Sequence, residues 1–237
     1  MKLTPRLIAI AKMIPEGSRV GDVGSDHGYL VAHLVTHHLV SKAIASDISQ
    51  GPIDNAISTL KEEKLEDQIE VRFGGGLDPY TRGEIDIAVI AGMGGMLIRD
   101  ILIDRTDFAK QLDFLILQPM TQQPELRRWL LENGFEIFNE LNIREGSKYY
   151  EIFCIRKGVT TLVDPIQYEI GFRKPVSEMK TASLKAYIEF LHHKIKKYEK
   201  IKKEIEHRGS DGSAQTLQQV SHKLQKIEEV LRDVHQR

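Results

Sequence analysis

Short apolar runs alternate with amphipathic stretches through the first two thirds of the chain. The apolar runs predict seven strands. We place these strands at about residues 19–23, 43–47, 69–73, 86–91, 113–118, 134–141 and 150–156. Helical periodicity marks the segments at about 28–39, 51–64, 95–102 and 122–133. Because the first five strands alternate with helical or irregular crossovers, the pattern favours an α/β fold with a parallel, doubly wound sheet.

The N-terminal segment has the pattern of an amphipathic helix. Thr4 followed by Pro5 is a favoured helix start, with a hydroxyl cap and proline at the first helical position. The apolar residues that then share one face are Leu7, Ile8, Ala11 and Ile14. The segment has no small-residue cleavage site, and no apolar run in the chain approaches the length of a membrane span. We therefore expect a cytoplasmic protein with no membrane partner.

The last two predicted strands differ from the first five in their connection. They are joined by REGSKY, residues 144–149, which leaves no room for a helix. The two strands should therefore form an antiparallel hairpin at the edge of the sheet. A nicotinamide-binding Rossmann domain normally ends with another parallel strand. A parallel sheet closed by a hairpin is instead typical of the class I S-adenosylmethionine-dependent methyltransferase fold.

After residue 158 the hydrophobic pattern changes from strands to heptads. A connector with two prolines leads into two stretches whose apolar residues follow three- and four-residue steps, with one step of seven in the first stretch. The glycine- and serine-bearing segment 206–215 separates them, so they should fold back as an antiparallel helical hairpin. The seam residues are Leu184, Ile188, Leu191, Ile195, Tyr198 and Ile205, then Leu217, Val220, Leu224, Ile227, Leu231 and Val234. We predict a sheet domain over 1–158 and a connector with a coiled-coil domain over 159–237.

Charge is distributed unevenly along the chain. Residues 1–175 hold 20 Lys and Arg against 25 Asp and Glu, whereas residues 176–237 hold 13 against 9. Much of the positive charge lies on the first helix of the hairpin. Its basic residues are Lys194, Lys196, Lys197, Lys200, Lys202, Lys203 and Arg208. Such a face is either the solvated outside of a coiled coil or a contact surface for a polyanion.

Two predicted turns combine glycine with a carboxylate. In the first turn Gly24 and Gly28 let backbone approach a ligand closely, and the following helix offers free N–H groups. Asp47 follows the second strand, 23 residues after Gly24, near the spacing from which an acid reaches ribose hydroxyls. Each feature alone also fits a tight turn or a helix cap. Together, at the carboxyl ends of strands, they favour a ribose-containing cofactor.

Two further turns consist largely of glycine. Residues 74–76 are three glycines after the third strand, where an adenine ring can lie against backbone. Residues 91–96, AGMGGM, follow the fourth strand and open a helix, which leaves a pocket floor bare of side-chain chemistry. A structural loop rarely needs so many glycines. Gln118, after the fifth strand, is either a hydrogen-bonding wall residue of this pocket or a cap of the next turn.

The chemistry that the sequence lacks narrows the reaction class. There is no Ser-His-Asp series, no His and Cys set at metal-ligand spacing and no G-K-[ST] phosphate loop, so we predict no metal. The one cysteine, Cys154, lies in an apolar run and excludes an internal disulfide. A ribose-binding acid beside glycine turns suits transfer of an already activated group. Methyl transfer from a sulfonium needs in-line positioning, not a powerful base.

Five motifs resemble those of one enzyme family. SDHGYL, SDIS, GGGL, AGMGG and LQPM, in this order and spacing within residues 3–157, resemble the bacterial tRNA (adenine-22-N1)-methyltransferases. The lysine-rich helical hairpin is similar to that family's C-terminal coiled coil. The resemblance implies a Rossmann-like class I methyltransferase sheet followed by an antiparallel coiled-coil hairpin. It also implies transfer of a methyl group from S-adenosyl-L-methionine to N1 of an adenine in the D-arm region of tRNA.

The resemblance assigns roles to individual residues. The implied cofactor residues are Asp22, Gly24, Asp26 and His27 at the methionine end, Ser25 and Gly28 in the same turn, Asp47 at the ribose, and Ile48, Gly75, Gly76 and Leu77 around the adenine. The implied catalytic residues are Gly92, Met93, Gly94 and Gly95, which replace the D/N-P-P-Y tetrapeptide of many amino-methylating enzymes. A carboxylate at Asp26 suits the cofactor's ammonium group, whereas it would repel a phosphate.

The predicted chemistry is consistent with a bare catalytic loop. The N1 lone pair of neutral adenine is free at pH 7, so we expect catalysis mostly by orientation and desolvation. Backbone carbonyls near Gly92 and Met93 should then face the exocyclic amine. Because N1 is occupied in paired RNA, the target base must be unpaired or extruded first.

Predicted RNA contacts fall in two places. They are Arg6, Lys12, Arg127 and Arg128 around the catalytic face, and Lys194, Lys197, Lys200 and Lys203 on the coiled coil. The short loop favours seams that pair within one chain, so we expect a monomer. Two other functions stay open. One is a methyltransferase acting on a small molecule or protein, and the other is a non-catalytic nucleotide-binding scaffold.

Overall fold

The computed structural model describes residues 3–162, 164–172, 181–208 and 213–236. Parts of the predicted connector (163 and 173–175) and of the predicted interhelical loop (209–212) lie outside these ranges. The chain divides into two compact units, Met1–Thr161 and Leu162–Arg237. No described helix combines the length and apolar character needed to cross a bilayer.

A seven-stranded sheet is the centre of the first unit. Its strands are β1 Ser18–Val23, β2 Val40–Asp47, β3 Ile69–Phe73, β4 Ile87–Gly94, β5 Phe114–Thr121, β6 Phe135–Glu145 and β7 Lys148–Lys157. They lie in the order β3-β2-β1-β4-β5-β7-β6. Strands β1 to β5 are parallel, whereas β7 is antiparallel to both β5 and β6. The predicted parallel sheet with a closing antiparallel hairpin is confirmed.

The hairpin forms because the connection between β6 and β7 is too short for a crossover. Glu145 pairs with Lys148, which leaves two residues for the turn. A parallel connection needs a dozen or more residues, usually including a helix. Strand β7 therefore turns back beside β5, and β6 becomes the edge of the sheet.

Among the described residues of the first unit, six helices connect or flank the strands. They are α1 Pro5–Ala11, α2 Tyr29–Thr36, α3 Gln50–Glu62, α4 Gly95–Asp104, α5 Thr106–Ala109 and α6 Gln123–Glu132. Thr4 caps α1 as predicted, since its Oγ1 accepts a hydrogen bond from Leu7 N at 3.4 Å. The prediction missed α5, because four residues are too few to show helical periodicity.

The main core lies between the sheet and the first two helices. Ile10 from α1 and Leu34 from α2 are fully buried against Val20, Val89 and Ile116 of the central strands. This packing leaves the carboxyl ends of β1, β2, β4 and β5 at one edge, where the loops that follow them meet.

The second unit contains α7 Gln167–Ile170, α8 Thr181–Arg208 and α9 Ser213–His235. His192, in the first half of α8, lies beside His235 at the end of α9, with ring centroids 6.3 Å apart, so the two long helices run antiparallel. Buried seam residues include Leu191, Tyr198 and Ile227. The predicted helical hairpin is confirmed.

Candidate active site

The turn between β1 and α2 is tied to the neighbouring strand by backbone hydrogen bonds. The N–H groups of Gly24 and Ser25 both donate to Ser46 O, at 2.8 and 3.0 Å. Gly24 has a φ of +69°, and a Cβ there would lie 2.2 Å from Met93 Cε. Glycine is favoured at this position because L side chains rarely adopt this backbone angle, and a Cβ would also require the flexible end of Met93 to move.

Asp22 places a carboxylate beneath this turn. It is 6% exposed, and its Oδ2 accepts a hydrogen bond from Ser25 Oγ at 2.6 Å. Burial raises the pKa of Asp22 to about 6, although the hydrogen bond from Ser25 and the positive charge of Arg6 oppose the rise. Near neutral pH this site therefore holds a poorly solvated negative charge, which a cationic ligand group would stabilise.

A buried tyrosine supports the same turn from below. The hydroxyl of Tyr80 donates to Asp22 O at 3.1 Å and lies 2.8 Å from Ser46 Oγ, so it links β1 to β2. A Cβ on Gly21 would come within 2.6 Å of the Tyr80 ring. Sequence reasoning missed both residues, because their pairing spans about 60 positions.

Asp26 and His27 are more exposed than Asp22. The Asp26 side chain is 63% exposed, and its Oδ2 lies 3.6 Å from His27 Nε2. The His27 ring stacks on Tyr29, with centroids 5.0 Å apart and planes 10° apart. These groups form the outer rim of the turn, next to the start of α2.

Asp47 ends β2 and turns toward the same glycine. Its Oδ1 accepts a hydrogen bond from Ser49 N at 2.9 Å, while its Oδ2 would lie 4.0 Å from a Cβ on Gly24. Ser49, at the N-cap of α3, makes no side-chain cap bond. One carboxylate oxygen is thus used locally, and the other faces the turn after β1.

A cleft of about 360 Å³ connects these loops. Of the predicted cofactor residues it is lined by Gly24, Asp47, Ile48, Gly75, Gly76 and Leu77, together with Met93 of the predicted catalytic loop. Asp22, Ser25, Asp26, His27 and Gly28 are not among its lining residues. Its size is within the range of small-molecule sites and admits a nucleoside.

The cleft also includes residues that sequence reasoning missed. They are Val23, Asp78, Leu97, Asp100, Ile101, Asp104 and Arg105, whereas Gly74, which also lines the cleft, belongs to the predicted glycine turn. Four of these lie on α4 and recur at three- and four-residue steps, so they share one helix face. Helical periodicity after AGMGGM was the available signal for this wall.

The predicted catalytic loop is the end of β4 and the start of α4. Gly94 is the N-cap of α4, and β4 pairs irregularly with β5 on either side of Met93. A Cβ on Gly95 would lie 2.6 Å from Thr121 O and 2.7 Å from Gln122 O. Glycine is needed here because two backbone segments touch.

Gln118, in the second half of β5, has a fully buried side chain. Its Oε1 accepts from Arg6 Nη1 at 2.6 Å, and its Nε2 donates to Pro119 O at 3.0 Å. The N-cap of α6 is Gln122, which makes no side-chain cap bond. Gln118 therefore does not cap α6, and it is not among the residues that line the cleft described above, so its place as a wall residue stays a prediction.

Two predicted RNA contacts are wrong. Arg127 is fully buried and forms ion pairs with Glu140 (2.8 Å) and Glu151 (2.6 Å), above the Phe153 ring. Lys194 is 5% exposed, and its Nζ lies 5.0 Å from the Phe190 ring centroid. A side chain committed to such an interior cannot reach a phosphate.

The other predicted basic residues fall into two groups. Lys12, Arg128, Lys197, Lys200 and Lys203 are exposed, whereas Arg6 is half-buried.

Within the described ranges, no three His, Cys, Asp or Glu side chains gather as a metal site requires.

Comparison with known proteins points to one activity. Residues 3–153 match the family model described as a methyltransferase domain. The chain is 32% identical over 235 residues to the tRNA (adenine(22)-N(1))-methyltransferase of Bacillus subtilis, and the match covers 98% of each protein.

Two solved structures are similar to the whole chain. A Streptococcus pneumoniae protein in complex with S-adenosyl-L-methionine has a TM-score of 0.82 and 29% identity, covering 97% of this chain and 100% of that one. M. capricolum TrmK in complex with S-adenosyl-homocysteine has a TM-score of 0.78 and 25% identity, covering 99% of each.

Proposed function

This chain belongs to the family of bacterial tRNA (adenine(22)-N1)-methyltransferases, and from that premise we propose how its own residues perform the reaction. The protein is an S-adenosylmethionine-dependent tRNA methyltransferase that transfers a methyl group to N1 of adenine 22 in tRNA. The observation that carries the proposal is the cleft beside Gly24, where the Asp47 carboxylate, the 74–76 backbone and Met93 meet.

The residues of the cleft fit the ribose and adenine of a cofactor, and two carboxylates of the turn beside the cleft fit its ammonium group. The Asp47 oxygen that faces Gly24 is an acceptor for ribose hydroxyls. Ile48 is 68% exposed, and its Cδ1 would lie 3.1 Å from a Cβ on Gly75, so it supplies an apolar wall beside the glycine backbone. Asp22, with Asp26 farther out, supplies the negative charge that an ammonium group needs.

The chain contributes position rather than acid–base chemistry. When bound, S-adenosyl-L-methionine supplies a methyl group that is already activated as a sulfonium. In the loop Gly92–Gly95, Met93 lines the cleft and Gly92 lies beside Arg6, so the glycine backbone of the loop can approach the target base closely. Because N1 of neutral adenine carries no proton, no general base is required, and orientation with exclusion of water provides the rate.

The exposed lysines of α8 are proposed to contact the tRNA backbone. Lys197, Lys200 and Lys203 lie on one exposed side of the helix within two turns. Their contact would be of charge and shape rather than base sequence. We also propose that the enzyme works in the cytoplasm and that it is a monomer. Light scattering of the purified protein would test the monomeric state.

One experiment tests the reaction and its site together. Purified protein is incubated with an unmodified tRNA transcript and the cofactor, and the nucleosides are analysed by mass spectrometry. We expect 1-methyladenosine with this transcript and none when adenine 22 is replaced by uridine. Asp47→Ala should abolish cofactor binding in calorimetry, whereas K197E/K200E/K203E should retain cofactor binding and lose tRNA affinity. A wild-type protein that methylates metabolites but not tRNA would refute the proposal.

A further inference from the structure

The N-terminal helix brings one guanidinium group to the catalytic loop. Arg6 lies in the first turn of α1, and its Nη1 donates to Gln118 Oε1 at 2.6 Å. The same Nη1 would lie 3.5 Å from a Cβ on Gly92. A cation therefore borders the backbone of the loop that we propose to face the target base.

Three contacts hold this arginine in place. Gln118 is fully buried, and its Nε2 is bonded to Pro119 O, so its amide is fixed in the orientation that accepts from Arg6. The guanidinium carbon lies 5.4 Å from the centroid of the Tyr150 ring on β7. The backbone N of Arg6 donates to Glu145 Oε2 at 3.4 Å, which attaches α1 to the end of β6.

The arginine keeps its charge and most of its donors. A guanidinium has five N–H groups, and Gln118, a neutral amide, is its side-chain acceptor among the described residues. No described carboxylate forms an ion pair with Arg6. Its positive charge is felt at Asp22, where it acts against the rise in pKa that burial causes.

We propose that Arg6 binds the backbone phosphate of the nucleotide whose base is methylated, and that Gln118 and Tyr150 are positioning residues for it. The inference rests on the proposed function. The loop Gly92–Gly95 offers no aromatic clamp for the base, so a contact to the backbone of an extruded nucleotide would help to fix its position. The fork of a guanidinium matches phosphate oxygens.

Charge favours the phosphate over the base as the partner of Arg6. Methylation at N1 leaves a cationic base, and a second cation in contact with that base would oppose the reaction. Contact with a phosphate neutralises the guanidinium instead, and it fixes the nucleotide relative to the loop. Arg6 thus acts on the geometry of the substrate and is not required for binding of the cofactor.

The test compares full-length variants by two readouts. One is kcat/KM for tRNA methylation at several salt concentrations, and the other is the affinity for S-adenosyl-L-methionine by calorimetry. We expect Arg6→Ala to lower kcat/KM by about 10- to 100-fold, as for loss of a charge-assisted hydrogen bond. The slope of log kcat/KM against log salt should become shallower by about 0.7 to 0.9. Cofactor binding should persist, which shows that the variant is folded.

Three further variants separate charge from geometry. Arg6→Lys keeps the positive charge but loses the forked donors of the guanidinium. This variant should therefore keep the wild-type salt slope but only part of the wild-type kcat/KM. Gln118→Glu keeps Arg6 and supplies a carboxylate that competes with the phosphate, so it should give the shallow slope. Lys61→Ala removes an exposed charge in the last turn of α3, away from the carboxyl ends of the strands, and should match wild type.

Several outcomes would overturn the inference. Wild-type kcat/KM in Arg6→Ala would remove any role for the residue. A lower kcat/KM with an unchanged salt slope would indicate a base contact or a purely structural role instead of a phosphate contact. Failure of the wild-type enzyme to methylate tRNA would refute the proposed function itself, and the wild-type control shows this independently of Arg6.

Discussion

Replacing Asp22 by asparagine should stabilise the protein while weakening its cofactor binding. The carboxylate is 6% exposed, and the group that donates to it is the neutral hydroxyl of Ser25. A buried negative charge with so little compensation costs folding free energy. We expect a bound ligand with a cationic group to offset this cost. The cost should therefore be measurable only in the protein without ligand.

The magnitude follows from the pKa of Asp22. Burial raises it from 3.8 to about 6, a change of about 2 units or about 3 kcal/mol. Because the folded state holds the proton more tightly than the unfolded state, stability falls as pH rises from about 4 through about 6. Above that range the full cost is present. Asp22→Asn removes the charge but weakens the hydrogen bond from Ser25, which contributes about 1 kcal/mol.

The expected net gain is therefore about 2 kcal/mol at pH 8 and no gain at pH 4. In a chain of this length, 2 kcal/mol corresponds to about 4 to 8 °C in the unfolding temperature. Differential scanning calorimetry across pH 4 to 8, without cofactor, measures this difference. Asp26→Asn is the matched control. Because the Asp26 side chain is 63% exposed, we expect the difference in unfolding temperature between this variant and wild type not to grow with pH.

A difference in unfolding temperature between Asp22→Asn and wild type that does not grow with pH would show that the Asp22 charge carries no such cost. A variant less stable than wild type at pH 8 would show the same. In calorimetric titrations at pH 8, the variant should bind S-adenosyl-L-methionine at least about tenfold more weakly, the size of one lost charge-assisted contact. Equal affinity would place the ammonium group elsewhere.

Three other predictions concern packing and buried charge. Gly24→Ala places a methyl group at a φ of +69° and against Met93 Cε. Cofactor binding should therefore be lost in calorimetry while the circular dichroism spectrum stays unchanged. Retained binding would contradict the assigned cleft. Arg127→Met leaves two buried carboxylates without their cation. In urea titrations this variant should lower the unfolding free energy by about 3 to 5 kcal/mol. A loss under about 1 kcal/mol would mean that these groups are not buried together. Glu169 is buried, yet the hydrogen bonds from Lys223 and Tyr198 hold its pKa below the ordinary value, so Glu169→Gln should destabilise the protein at pH 7. That difference should shrink as pH falls below about 4.5 and through the lower folded-state pKa, and a constant difference would argue against the ion pair.

Much of the sheet could be predicted because strand formation leaves a local trace. Buried parallel strands appear as short apolar runs, and each predicted run overlaps an observed strand. The strands extend further than predicted where they run into polar or glycine-bearing turns, as β4 does to Gly94. Helix α5 was missed, since a single turn has no period to detect.

The candidate site was predicted less completely. The glycines and Asp47 stand out in sequence, because a turn that needs glycine or a carboxylate at a strand end is a local feature. The α4 wall of the cleft and the tyrosine under Gly21 were missed, because they approach the site from other parts of the chain.

The sequence by itself determined the order of strands and helices, the closing hairpin, the coiled-coil seams and the glycine turns. These depend on periodicity, loop length and backbone freedom, which act over a few residues. Only the tertiary structure decided which charges are buried. Arg127 and Arg128 are adjacent, yet one is enclosed by two carboxylates from the hairpin and the other is exposed. Likewise, Arg6 meets Gln118 across 112 positions. The solvation of a charge depends on what packs around it, and those neighbours come from distant segments that only folding brings together.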